Sequence, residues 1–213
     1  VKVTSCTVGP FQENSYLIVD ESTMRAAIVD PGADPDRLIY LVRESGAELE
    51  AMWLTHAHLD HVGGVEGLRR EWSVPVYLHP AALPMYERAS MQAAAYGLPF
   101  EQPNAPERSF NDGDRLSLGS LEFDVLYTPG HAPGHVVLHG NGVLFAGDLL
   151  FAGSIGRTDL PMSNAAQMEQ SLARVCELPD DTVVYPGHGP TTTIGAERAT
   201  NVFLTGAARI IKR

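Results

Sequence analysis

The chain reads as an α/β fold with mixed sheets flanked by helices, and three features of its sequence predict this. Short apolar runs alternate along the whole length with amphipathic stretches of helical period. Three of the runs, Leu121–Tyr127, 143–145 and 182–185, lead through a small or turn-forming pair to a potential ligand, in Pro129-Gly130-His131, Ala146-Gly147-Asp148 and Pro186-Gly187-His188. A fourth run, 51–54, opens directly on His56-Ala57-His58-Leu59-Asp60-His61, which holds four potential metal ligands in six residues. Sheet scaffolds place their sites at the C-terminal ends of strands, so the recurrence is read as one site and not as scattered polar loops.

Taken in order, residues 1–8 and 15–20 alternate apolar with polar side chains and predict two strands, joined by a loop over 9–14. Arg25–Val29 is a third strand ending at Asp30-Pro31-Gly32. Asp34 is expected to cap a helix with Pro35 in its first turn, Leu38, Leu41 and Val42 facing inward and Gly46 as the stop. The run 51–54 then returns to the sheet, which makes a strand-helix-strand crossover. Val65, Leu68 and Trp72 recur at helical spacing, with His61 near that helix's N-terminus, where the dipole disfavours imidazolium.

Residues 74–79 predict a short strand, with His79 structural. Residues 81–97 predict an alanine-rich helix broken by Pro84, whose Met85, Tyr86, Met91 and Tyr96 pack the core or line a cleft. A proline-rich loop covers 97–114. Two hairpins follow, turning at Gly119-Ser120 and at 140–142, with His139 inside a strand. Ser163 or Asn164 caps a helix with Met168, Leu172 and Val175 inside and Pro179 at its end, and the tail 191–213 holds one more helix.

At 213 residues and 44% hydrophobic, the chain can bury a core as one domain spanning 1–213. No apolar run is long enough to span a bilayer and no signal pattern opens the sequence, so a soluble, cytoplasmic protein without a membrane partner is expected. Cys6 and Cys176 lack a Cys-x-x-Cys spacing and are read as buried free thiols. The formal charge of −11 argues against nucleic acid as a partner, since a nucleic-acid binder needs a basic face to displace counterions. The oligomeric state is not written in the sequence.

In an extended segment His56, His58 and Asp60 begin on one face, and two imidazoles at that spacing can converge on one ion at about 2.0–2.1 Å each. Asp60 lies roughly 13 Å along an extended chain from His56 and cannot join them unless the backbone curls. Asp60 and His61 therefore read as the start of a second site.

The set His-x-His-x-Asp-His, Thr-Pro-Gly-His, Ala-Gly-Asp and Pro-Gly-His resembles the ligand set of the metallo-β-lactamase superfamily, and within it the short hydrolases related to hydroxyacylglutathione hydrolase, or glyoxalase II. The likeness runs from about Gly9 to Leu204 and includes Asp30-Pro31-Gly32 and Gly156-Arg157-Thr158-Asp159. It implies an αβ/βα four-layer sandwich of two mixed sheets flanked by helices. It also implies two divalent ions, zinc first with iron or manganese as alternatives. His56, His58 and His131 would hold one, Asp60, His61 and His188 the other, and Asp148 would bridge, with Asp60 and Asp148 as the catalytic carboxylates. Asp30 and His135 would orient ligands, while Arg157 and Phe11 would meet substrate. Arg157 has a simpler reading as the partner of a local acid such as Asp159, and Phe11 as an aromatic that packs its turn.

The implied reaction is hydrolysis of a small-molecule thioester, S-lactoylglutathione or a related acyl-thiol, by a metal-bound hydroxide. The alternative of the same fold is a mononuclear iron persulfide dioxygenase, whose members share the Gly-Arg-Thr-Asp stretch. The chain departs from the glutathione hydrolases in three ways. Their C-terminal helical domain has no counterpart in the sequence, Arg157 replaces a lysine, and Asp159 and Pro190 stand where tyrosines are expected. These departures put glutathione as the carrier in doubt.

Overall fold

The computed structural model describes residues 1–210. The first half lays down six strands, β1 (Lys2–Val8), β2 (Glu13–Asp20), β3 (Arg25–Val29), β4 (Glu48–Trp53), β5 (Val76–Leu78) and β6 (Arg108–Ser109), in one sheet ordered β1-β2-β3-β4-β5-β6. Five helices punctuate them: α1 (Pro35–Ser45), α2 (Leu59–Val62), α3 (Val65–Arg69), α4 (Leu83–Tyr86) and α5 (Ala89–Ala95). Strands β1 to β3 pair antiparallel and β3 to β6 parallel, because helical crossovers replace hairpins after β3.

The second half repeats the plan with β7 (Arg115–Leu118), β8 (Leu121–Tyr127), β9 (Val136–Gly140), β10 (Val143–Gly147), a small hairpin of β11 (Leu150–Phe151) and β12 (Ser154–Ile155), α6 (Ala165–Val175), β13 (Val183–Pro186), β14 (Thr192–Thr193) and α7 (Ile194–Thr200). The second sheet is ordered β14-β13-β10-β9-β8-β7, with β10 and β13 parallel and the other pairs antiparallel.

The period-two alternation of the strands sorts the core into layers. Tyr16, Ile18, Val29 and Trp53 of the first sheet meet Phe123, Val125, Leu138 and Phe145 of the second, and Trp53 lies edge-on to Phe123 at 5.6 Å. The opposite faces carry Leu17, Ile28 and Met52 against Leu38, Val42 and Leu68 of α1 and α3, and Val137 and Leu144 against Met168, Leu172 and Val175 of α6. The result is helix, sheet, sheet, helix, as expected. All eight residues of β2 are buried, since both of its faces are covered.

Local details depart from the sequence reading where a tertiary contact competes. The helix expected around Val65 splits into α2 and α3 at Gly63-Gly64, where a Cβ on Gly63 would come within 2.5 Å of the Gly32 carbonyl oxygen. Asp34 sits at the N-cap of α1 in a left-handed conformation and makes no cap bond; its carboxylate instead accepts from the Gly9 amide at 3.0 Å. Pro84 does not break the helix it enters, because it lies in the first turn of α4 where no amide proton is needed; the break falls between α4 and α5. The loop 97–114 carries β6, α6 ends at Val175 before Pro179 is reached, and both cysteines are half-buried free thiols. Asn164 does cap α6, accepting from the Gln167 amide at 3.1 Å, and α7 is the helix expected in the tail. Residues 211–213 of that tail lie outside the described residues.

Candidate metal centre

The chain leaving β4, β8, β10 and β13 delivers His56 to His61, His131, Asp148 and His188 to one edge of the sandwich. Two glycines permit the approach. A Cβ on Gly147 would lie 2.5 Å from Thr55 Oγ1, and one on Gly187 would lie 2.3 Å from Asp148 Oδ1, so the residue before each ligand has no room for a side chain.

His58 Nδ1 lies 3.0 Å from His56 Nε2 and 2.9 Å from His131 Nε2. Bonds of about 2.0–2.1 Å in tetrahedral array place ligand nitrogens roughly 3.3 Å apart, close to this spacing. The tautomers suit a cation. The Arg157 carbonyl oxygen can only accept, so His131 Nδ1 donates to it at 2.9 Å and Nε2 keeps its lone pair. Thr55 Oγ1 donates to Asp30 at 2.6 Å and so accepts from His56 Nδ1 at 3.1 Å, which frees His56 Nε2 in the same way.

A second group gathers Asp60, His61 and His188, whose ligand atoms lie within 4.8 Å of one another. His188 Nε2 is 3.4 Å from Asp60 Oδ2, and Asp30 Oδ2 accepts from His61 Nδ1 at 3.0 Å. Asp148 faces both groups: Oδ2 is 3.3 Å from His131 Nε2 and 3.6 Å from His188 Nε2, and Oδ1 is 3.4 Å from His61 Nε2. Among the described residues, His61 Nε2 and Asp148 Oδ1 are both buried without a hydrogen-bond partner. Buried polar atoms are seldom left so, and a cation between them would satisfy both. The donors around it are all nitrogen and oxygen, which suits zinc, iron or manganese.

Protonation divides the histidines. Burial, and then the neighbouring imidazoles, hold His56 well below the usual range and push His58 and His135 down to about 3. Burial also opposes charge on His61, but Asp148 and Asp30 outweigh it and raise His61 well above the usual value. The helix dipole expected to keep His61 neutral is therefore overridden by two carboxylates. At His188 burial is outweighed by the hydrogen bond to Asp60.

The other residues singled out in the sequence lie around these two groups as follows. Asp30, at φ 48°, accepts from the Thr55 amide at 2.7 Å as well as from Thr55 Oγ1 and His61. His135 Nε2 accepts from the Asp148 amide at 3.1 Å, with Thr128 on its other nitrogen at 3.0 Å. At the rim Phe11 lies edge-on to Tyr96 at 5.2 Å, and exposed Arg157 forms two hydrogen bonds to Asp159 at 2.8 and 2.9 Å, the simpler of the two readings for this arginine. His79 stacks on Tyr127 and His139 pairs within the second sheet, both outside the centre.

Two contributors escaped the sequence reading. Asn14 donates to the carbonyls of Pro186 and Gly189, fastening the His188 loop to the first sheet. Glu13 is fully buried, accepts from Ser15 Oγ at 3.0 Å through Oε2, and leaves Oε1 without a hydrogen bond 3.9 Å from His61 Nδ1. Burial pushes its carboxyl well up, against the His61 imidazole. A carboxylate in a strand covered on both faces is the signal that marks it, but 9–14 reads as a loop. Glu13→Ala is expected to weaken metal retention about 10- to 100-fold, as loss of a group behind a ligand does, with Glu13→Gln recovering part of it; metal content after dialysis measures both.

A model of the metallo-β-lactamase superfamily matches residues 8–188. The chain is 39% identical to hydroxyacylglutathione hydrolase GloC of Haemophilus influenzae, over 92% of this chain and 95% of that one. Among solved structures it is similar to TTHA1623 in a di-iron-bound form, with TM-score 0.88, 45% identity and coverage of 94% and 100% of the two chains. It is also similar to the BLEG-1 B3 metallo-β-lactamase, with TM-score 0.90, 37% identity and coverage of 96% and 100%. With the histidine and aspartate cluster at the strand ends and this match over most of its length, the chain belongs to the metallo-β-lactamase superfamily.

Proposed function

We propose that residues 1–213, as one domain, form a metal-dependent hydrolase that cleaves a small-molecule thioester, S-lactoylglutathione or a related acyl-thiol. The observation that carries the reading is the position of Asp148, whose two oxygens face both ligand groups. His56, His58 and His131 would hold one divalent ion, Asp60, His61 and His188 a second, and Asp148 both. Such a pair supplies a nucleophile at neutral pH, by lowering the pKa of water from 15.7 toward about 7, and polarises the carbonyl under attack.

The chain's own groups do the rest. His58, Asp60 and His188 are the partly exposed members of the cluster, so substrate reaches it from their side. Asp60 faces that opening and would be the carboxylate that takes the nucleophile's proton, while Asp30, His135 and Thr55 would hold the ligands in their orientations. A thiolate leaves without protonation, so no separate general acid is required. Phe11, edge-on to Tyr96 at the rim, would contact substrate, and Arg157 can meet an anion there only by sharing its pairing with Asp159. Similarity to hydroxyacylglutathione hydrolase GloC supports the thioester as substrate. No helix among the described residues is long and apolar enough to cross a membrane. We take the working compartment to be the cytoplasm, and zinc to be the first candidate metal, with iron or manganese as alternatives.

Metal quantification on native protein, alongside a panel of thioesters, a β-lactam, and oxygen uptake with glutathione persulfide, tests the reading. Thioester cleavage that tracks metal content is the expected result. Oxygen consumption with no thioester cleavage would replace it with the mononuclear iron dioxygenase reading.

A further inference from the structure

Beside the metal centre lies a cavity of about 560 Å³, in the range of small-molecule sites. Leu59 and Asp60, the residues that open α2, form part of its wall, so it adjoins the second ligand group directly. The loop after β1 roofs it with Phe11, and Leu98 and Phe100 close its far side. Gly63 lets the Phe100 ring in, since a Cβ there would stand 3.1 Å from Phe100 Cε2.

The charges around this cavity restrict what can enter. Among the described residues, none of those lining it is a lysine, arginine or histidine, so its walls bring no cationic side chain to a carboxylate or phosphate. Its acids are already engaged: Asp34 by the Gly9 amide and Arg37, Glu101 by Arg70, and Asp60 by His188. A cationic group would therefore have to compete with an existing partner at each of them. What remains is apolar surface, from Val8, Phe11, Leu59, Leu98 and Phe100 among others.

Resting on the thioesterase reading, we propose that this cavity is a specificity pocket for an uncharged, apolar arm of the thioester, on its acyl or its thiol side. A glutathionyl group, with two carboxylates, would lie outside it. Chain elongation within such a pocket is worth about 0.8 kcal/mol per methylene, or roughly fourfold in kcat/KM.

The test is steady-state kinetics of the metal-loaded protein on two series. One runs from acetyl to octanoyl thioesters of glutathione; the other uses acetyl thioesters of alkanethiols from ethyl to octyl. One series should climb roughly fourfold per methylene until the pocket is full, and its identity assigns the arm. Leu98→Trp, which fills half-exposed space, should flatten that slope, and Phe100→Ala should move the optimum to longer chains. Two flat series with short thioesters still cleaved would overturn the pocket and leave the thioesterase standing. A slope unchanged in both variants would also overturn it. No cleavage of any thioester would sink the underlying reading, and the pocket's assignment with it.

Discussion

Replacing His58 with alanine is expected to lower kcat/KM for thioester hydrolysis by well over 100-fold, since loss of a group merely behind a ligand already costs about 10- to 100-fold. The metal-free protein should nevertheless unfold within about 1 kcal/mol of the parent. Both halves follow from where the imidazole sits. Its Nδ1 is the common neighbour of His56 Nε2 and His131 Nε2, so the first ligand group has no centre without it. Burial, and then His131, push it down to about 3, which keeps the ring neutral throughout the neutral range. It occupies the N-cap position of α2 but makes no side-chain cap bond, and its backbone, at φ −67° and ψ 150°, is one that alanine adopts freely. The checks are kinetics with metal content on the holo forms and denaturant unfolding of both metal-free forms. Turnover retained by the parent after complete metal removal would defeat the expectation, because His58 would then have no ion to hold.

His58 and the other candidate ligands were legible in the sequence as a cluster because each obeys a local rule. A buried strand, a tight turn and a short polar side chain are all encoded within ten residues, and Gly147 and Gly187 are glycines because the next residue's neighbours leave no room. Glu13 obeys no local rule. It follows the turn formers Gly9 and Pro10, and what makes it part of the centre is contact with His61 and pairing of its backbone with His188, far along the chain. The same holds for Asp34, whose expected cap bond lost to an amide 25 residues away, and for the two-residue strands β6, β11, β12 and β14, which are too short to show a period. The specificity cavity is built from β1 and the loop after it, the turn after Gly32, α2 and residues 98–101, so apart from Phe11, read as meeting substrate or packing its turn, its apolar side chains looked in sequence like ordinary turn and core packing.

Asp148→Asn is expected to lower kcat/KM at least as far as His58→Ala does but, unlike it, to destabilise the scaffold. The amide keeps the shape of the side chain and exchanges one acceptor oxygen for a donor nitrogen, so one ligand group or the other meets an N–H where it needs a lone pair. Metal binding at both groups should be weakened together, because among the described residues Asp148 alone pairs with His61, His131 and His188. In the metal-free protein the substitution also strips a buried partner from His61. Burial opposes the Asp148 charge, yet His61 and then His131 hold its carboxyl far below the usual range, and Asp148 in turn helps raise His61. Breaking one side of such a pair costs roughly 3–5 kcal/mol, and the lower end applies here because Asp30 remains beside His61. The sign with pH follows from the two directions. A lowered carboxyl stabilises fully above its unfolded pKa of about 3.9 and loses this as pH falls through its folded value. A raised histidine stabilises fully below about 6.5 and loses this as pH rises through its folded value. The gap in unfolding free energy between parent and Asp148→Asn should therefore be widest between about pH 4 and 6.5 and narrow on either side. A gap that grew steadily above pH 8 in metal-free protein would show that the Asp148 carboxylate is not paired with a protonated His61.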